Sequence, residues 1–233
     1  KIGTVIKHIP GHGLAINDSH FVTPKVNEKK KILNNIDFLA FKNKKSLFAM
    51  TAHIIYKGLL LMSAGSVLFI TQKRKCTDLG GLYKSMRTTM ICALIGAISI
   101  SAVPFTSGYI SKELITQSAQ DLQLTFIWLA FITGSAGVFL HAGIKYPWFV
   151  FFQEKLDDSN NSNDAPINMR IAMIAFSFIC ILLGVYPALL YTLLPYDLNF
   201  TPYTLDHAVT HMQLLLASGF AFFIMLPLMK RTL

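Results

Sequence analysis

Apolar residues enter this chain in long unbroken runs, with the polar residues gathered between them. Five runs stand out: Leu47–Ile70, Thr88–Ser111, Leu122–Ile144, Ile171–Leu194 and Met212–Met229. A helix rises about 1.5 Å per residue, so about 20 apolar residues cross a hydrocarbon layer of about 30 Å. None of the runs alternates with the period of two that a half-buried strand requires, and each is too long for one strand. The pattern predicts an all-α, polytopic membrane protein of about five transmembrane helices. The last run is the shortest of the five.

The second run carries its own interruption. Pro104 lacks the amide donor that a continuous helix needs and clashes with the preceding turn, and Gly108 follows four residues later. A helix discontinuous over Pro104–Gly108 is expected, flanked by Thr106, Ser107 and Ser111. Freed backbone groups at membrane depth are tolerated only against protein or in a hydrated cavity.

Composition agrees with the pattern. Hydrophobic residues make up 53% of the 233 and charged residues 14%, against roughly 25% in soluble domains. The net charge of +9 is unevenly placed, because residues 1–46 hold nine lysines against three acids. The remaining 187 residues carry only +3, which argues against a basic nucleic-acid-binding face. Residues 1–46 form a polar basic segment of no clear period and no assigned function, and 47–233 form the transmembrane domain. Cys76, Cys92 and Cys180 make no CxxC pair and no metal-binding spacing. No nucleotide, flavin or iron–sulfur pattern is present, so no cofactor is expected. No secretory signal opens the chain, and Lys1 in place of Met fits a fragment or a processed product.

The loops suggest an orientation. Lys73, Arg74, Lys75, Lys84 and Arg87 crowd the first link, as on a cytoplasmic side. Alternation then puts Lys145–Arg170 and Lys230–Arg231 on that side and Tyr196–Asp206 opposite. Lys42, Lys44 and Lys45, just before the first span, oppose this assignment. Residues 153–165 read as a solvated linker.

Ionisable residues inside the runs are the candidates for function. His53 and Lys57 lie four apart on one helix face, and Lys57 lies ten residues past Leu47, roughly 15 Å into the layer. Burying an ammonium costs several kcal/mol unless it is paired or hydrated, so such residues mark ion pathways. The bland alternative is a helix that starts later, with Lys57 reaching the interface. Lys112 follows the expected break and is either part of that site or, with Glu113, in water at a helix end. His141 and Lys145 repeat the four-residue spacing, but Tyr146, Pro147 and Trp148 beside them suit an interfacial belt. Asp206, His207 and His211 precede the last span, with Asp206 read as a helix-start residue rather than a metal ligand.

Several stretches resemble the antiporter-like subunits shared by Mrp-type Na⁺/H⁺ antiporters and respiratory complex I. AHIIYKGLLLMSAGSVL is similar to that family's His-x-x-x-Lys helix, and KCTDLGGLYKSM to its Leu-Gly-Gly-Leu loop. ISAVPFTSGYISKELI resembles the family's discontinuous helix. LHAGIKYPWFVFF and LPYDLNFTPYTLDHAVTHMQLLL are most similar to bacterial members of the D-like Mrp type. The resemblance covers roughly 49–229 and implies the C-terminal part of such a subunit, in a bacterial plasma membrane. It implies a proton pathway through Lys57, its relay neighbour His53 and the terminal donor or acceptor Lys112, with His141 and Lys145 as weaker stations. The implied partners are other membrane subunits, the lipid bilayer, and H⁺ with Na⁺ or K⁺. The chain would be a transporter subunit without a catalytic site of its own. The family's upstream helices have no counterpart here, so the chain alone is expected not to catalyse antiport. A proton-pumping subunit of NADH-quinone oxidoreductase is the close alternative, and a non-transporting remnant that packs against partner subunits is another.

Overall fold

The computed structural model describes residues 47–154, 163–192 and 201–231. The basic segment 1–46, with its three lysines before the first span, and most of the expected linker (155–162) lie outside the described residues. Apart from Leu47 and Phe48, where helix α1 begins, the described residues belong to one compact unit, Ala49–Leu233.

Every element among the described residues is helical. Helix α1 spans Leu47–Thr71 and α2 spans Arg87–Ile100, followed by α3 over Ser107–Asp121. Helix α4 begins at Thr125–Val138 and continues with a wider, π-helical winding through Phe139–Lys145 and Trp148–Phe152. Helix α5 covers Ile167–Val185, α6 is the single turn Ala188–Tyr191, and α7 runs over Leu205–Arg231. Four stretches among the described residues are long and apolar enough to cross a membrane: Thr51–Thr71, Thr125–Phe152, Ile167–Val185 and Ala208–Pro227. The expected second span is the discontinuous pair α2 and α3, of 14 and 15 residues. At about 1.5 Å per residue neither half crosses about 30 Å by itself.

The last helix starts at Leu205 rather than Met212, so His211 lies inside it, and three further differences from the hydropathy pattern have local reasons. The third span continues past Ile144 to Phe152, so Tyr146, Pro147 and Trp148 lie within it rather than beyond its end. Its π winding, with the Tyr146 N–H donating to His141 O, relieves the contact between the Pro147 ring and the preceding turn. The fourth span ends at Val185 rather than Leu194, because Pro187 disfavours helical geometry at Tyr186, whose φ/ψ are −120° and 74°. The linker is also not wholly solvated. Asp164 accepts hydrogen bonds from the Thr88 N–H (2.7 Å), the Thr89 hydroxyl (2.6 Å) and the Ala165 N–H (2.8 Å), and Ala165 is buried.

Small polar residues share the interior with an apolar core, and large apolar residues face outward. Ser63, Ser66, Thr89, Ser99, Ser101, Thr106, Ser107, Ser111 and Ser177 are buried, whereas Leu61, Phe126, Ile171, Phe178, Leu216 and Phe220 are exposed. In water this arrangement would waste the hydrophobic effect. In lipid, apolar side chains lose nothing outside, and small residues within let helices approach closely. The broken helix α2–α3 occupies the centre, contacting α5 on one side and α4 with its π-helical continuation on the other. Helix α1 joins by side chains: Tyr56 and Leu59 share a cluster with Cys92, Met173 and Cys180, and Gly96 lies against Leu59 and Leu60.

The loop expected on the cytoplasmic side is built. Gly81 (φ 66°) donates to Gln153 O at 2.8 Å, and a Cβ at Gly80 would strike the Glu154 carbonyl. Val67, Leu79, Leu82, Met86, Ala93, Val150 and Phe151 form a second apolar cluster there. This draws the 72–86 loop, residues 153–154 and the Asp164 segment to one end, the common side that charge alternation predicts.

Candidate functional site

The break between α2 and α3 is where Lys112, Glu113 and His211 come together. Helix α2 ends at Ile100, and the chain turns through Ala102 and Phe105, both with positive φ (61° and 67°). Left-handed geometry at two non-glycine residues costs of order 1–3 kcal/mol each and persists only where the surroundings impose it. Three glycines press on this turn from three elements. A Cβ on Gly108 of α3 would collide with Ser99 O, one on Gly143 with Ser101 Oγ, and one on Gly184 of α5 with the Phe105 carbonyl. Tyr203 stacks between Phe105 and Tyr109, with centroids 5.2 and 5.5 Å away, and its hydroxyl donates to Gly184 O. Tyr109 in turn donates to Pro202 O at 3.0 Å.

A helix end leaves its last carbonyls without internal partners, and buried ones must be satisfied elsewhere. Ala97 O accepts from Ser101, Ile98 O from the Val103 N–H and Ser99 O from the Ala102 N–H. Ile100 O accepts from Lys112 Nζ at 2.6 Å, and Ser101 O faces His211 Nε2 at 3.4 Å. Two cationic or potentially cationic side chains therefore cap the negative end of α2, where the helix dipole favours positive charge. Lys112 also donates to Ser135 Oγ of α4 at 3.0 Å. Glu113 Oε1 lies 3.6 Å from His211 Nδ1, and these side chains are only 12% and 13% exposed.

Lys112, Pro104 and Gly108 thus meet in one site, with Lys112 half-buried rather than at a wetted helix end. His53 and Lys57 lie on the exposed face of α1, where His53 Nδ1 pairs with the Tyr56 hydroxyl at 3.0 Å. No direct contact joins them to Lys112, but His53 is within Coulomb range of both Lys57 and Lys112. His141 and Lys145 are exposed on the π-helical stretch, outside the cluster, although Gly143 between them touches it. Glu113 and His211 are the members that sequence reasoning missed. Glu113 adjoins Lys112 in sequence, which is a usable signal; nothing local points from His211 to a residue 98 positions earlier.

Comparison with known proteins finds similar sequences and similar folds. The family described as "NADH:quinone oxidoreductase/Mrp antiporter, TM" matches residues 38–139, which include α1, α2, the break and α3. The NADH-ubiquinone oxidoreductase chain 5 of Dictyostelium citrinum is 36% identical over 84 residues, covering 36% of this chain and 12% of that protein. Chain 5 of Marchantia polymorpha is 31% identical over 60% of this chain and 22% of its own length. The Na(+)/H(+) antiporter subunit A1 of Staphylococcus haemolyticus is 28% identical over 62% of this chain and 19% of its own length. The chain therefore spans between about an eighth and a quarter of these relatives. Among solved structures, the membrane-bound sulfane sulfur reductase, an archaeal respiratory membrane complex, aligns over 78% of this chain and 33% of its own (TM-score 0.61, 24% identity). The Mrp complex from Dietzia sp. DQ12-45-1b aligns over 68% and 38% (TM-score 0.56, 16% identity), and both likenesses concern fold alone. The helix with His53 and Lys57, the glycine-pair loop and the break at Pro104 all fall inside the matched stretch, so this part of a multi-pass membrane chain is similar to the NADH:quinone oxidoreductase/Mrp antiporter family.

Proposed function

We propose that this chain carries protons through a membrane as part of a monovalent cation/H⁺ antiporter, with Lys112 as the group that loads and releases the proton. The observation that carries this reading is the seating of Lys112 Nζ on Ile100 O and Ser135 Oγ at the broken helix. The α2 dipole and two acceptors hold the ammonium, in a site where neighbouring charges act through little water. A group so balanced can be tipped either way by a change in neighbouring charge. Lysine suits the task where arginine does not, since arginine remains protonated.

His53 and Lys57 are proposed as the connecting stations, with His141 and Lys145 as weaker ones. An exposed lysine mid-span is costly against lipid, so the α1 face bearing Lys57 is proposed to meet water or helices of partner membrane subunits. The transported ions are then H⁺ and Na⁺ or K⁺, the surrounding phase is lipid, and the membrane is the bacterial plasma membrane. The similarity of two tail motifs to D-like Mrp members remains the basis for that finer assignment. The Staphylococcus haemolyticus relative is an antiporter subunit A1, which supports the antiporter class without selecting the D-like type. A proton-pumping subunit of an NADH-quinone oxidoreductase is the second reading, favoured by the chain 5 relatives at 36% and 31% identity.

The test is proton flux in vesicles from cells making the complete assembly. Lys112→Ala is expected to abolish flux, and Lys112→Arg, which keeps the charge, is expected not to restore it. Wild-type flux in both would leave the chain as a packing element only.

A further inference from the structure

We infer that His211 and Glu113 form a proton-holding pair, the immediate exchange partner of Lys112; this rests on the proton-carrying function proposed above. The inference starts from acceptors. His211 Nε2 faces the Ser101 carbonyl at 3.4 Å, and a carbonyl can only accept. Nε2 therefore carries a hydrogen. The other ring nitrogen, Nδ1, lies 3.6 Å from Glu113 Oε1, within ion-pair distance. A neutral ring with its hydrogen on Nε2 would aim the Nδ1 lone pair at a carboxylate, which is repulsive at low exposure. One further proton removes the conflict, either on Nδ1 as an imidazolium facing a carboxylate or on Glu113 as a carboxylic acid facing Nδ1.

Charge conservation links the pair to Lys112. Ile100 O and Ser101 O, adjacent carbonyls of one helix end, hold Lys112 and His211 respectively, and the Lys112 charge lies within Coulomb range of His211. Without the shared proton the pair carries one negative charge and balances the Lys112 ammonium. Moving one proton from Lys112 Nζ to the pair turns the ammonium into an amine and the pair neutral. The cluster has zero net charge before and after, so the transfer escapes the cost of creating charge in a dry site. Among the described residues, the titratable groups facing His211 are Glu113, Lys112 and Tyr109, all on α3, with the Tyr109 ring edge-on at 5.9 Å. His141 and Lys145, on the π-helical stretch packed against α7, are exposed.

His211→Gln and Glu113→Gln, made in the complete assembly, test the pair by flux measured across a series of pH values. Both are expected to lower flux by at least about tenfold, within the range of general acid–base contributions. Both are also expected to move the midpoint of the flux–pH profile by about one unit or more, because each removes the partner that sets the other's proton affinity. Wild-type flux and midpoint in either variant would overturn the pair. Reduced flux with an unmoved midpoint would also overturn it, leaving His211 as a structural cap. If His211→Gln fails to accumulate, Glu113→Gln decides, since it keeps the side-chain volume. Lys112→Ala separates the two levels: flux surviving in that variant refutes the proton-carrying function itself, whereas its loss beside an unaffected His211→Gln refutes only the pair.

Discussion

Removing the Asp164 carboxylate should loosen α2 at the end opposite the break. Helix α2 begins at Arg87 without a side-chain cap from its own flank, since Met86 offers no acceptor. Asp164, 76 residues away in sequence, accepts from the Thr88 N–H and the Thr89 hydroxyl instead and closes on Ala165 N–H, at 2.6 to 2.8 Å. Replacing a capping side chain by alanine costs about 0.5–2 kcal/mol, and hydrogen bonds to a charged group about 1.5–3 each. The side chain is half-buried and water can reclaim part of the lost bonding, so the lower range applies: about 1–2 kcal/mol for Asp164→Ala. Asp164→Asn keeps one acceptor oxygen and should lose about half as much. The sign of the pH dependence follows from the same contacts. Burial raises the Asp164 pKa, but the bonds from Thr89, Ala165 and Thr88 outweigh it and hold the carboxyl below its ordinary value. The stabilisation is therefore complete above the unfolded-state pKa of about 3.9 and is lost as pH falls through the lower folded value. Denaturant unfolding of the detergent-solubilised assembly at neutral pH and at about pH 3 measures both effects. A wild-type midpoint for Asp164→Ala at neutral pH, or a difference that does not shrink in acid, would refute the reasoning.

The remaining predictions concern packing at the break and topology. Gly108→Ala drives a Cβ into the Ser99 carbonyl and should cost about 1–3 kcal/mol of stability, whereas Gly134→Ala, with open space around it on α4, should be neutral or gain up to about 1 kcal/mol; equal effects in thermal denaturation would contradict the close approach. Cys76 is exposed in the basic loop while Cys92 and Cys180 are buried, so a membrane-impermeant maleimide should label Cys76 alone, and only from the cytoplasmic side; labelling from outside would invert the assignment.

The sequence by itself determined the class of molecule and the position of the break. Runs of about 20 apolar residues leave a helix as the only element that satisfies every backbone group within lipid, so the spans are written in composition alone. Pro104, with Gly108 four residues on, disfavours a continuous second helix, and Lys112, eight residues after Pro104, is tied to that break by covalent connection. Span ends were less legible, because hydropathy does not see that Pro187 stops α5 while π winding lets α4 pass Pro147. Tertiary structure alone decided who faces whom. It brought Asp164 to the start of α2, Ser135 to Lys112, and His211 from α7 to Ser101 and Glu113, across separations of 76, 23, 110 and 98 residues. The physical reason is that the carbonyls freed at Ile100 and Ser101 require donors within about 3 Å, but the chemistry of that demand does not specify which helix supplies them. Packing does, through glycines at 108, 143 and 184 whose meaning appears only when three backbones close on one turn.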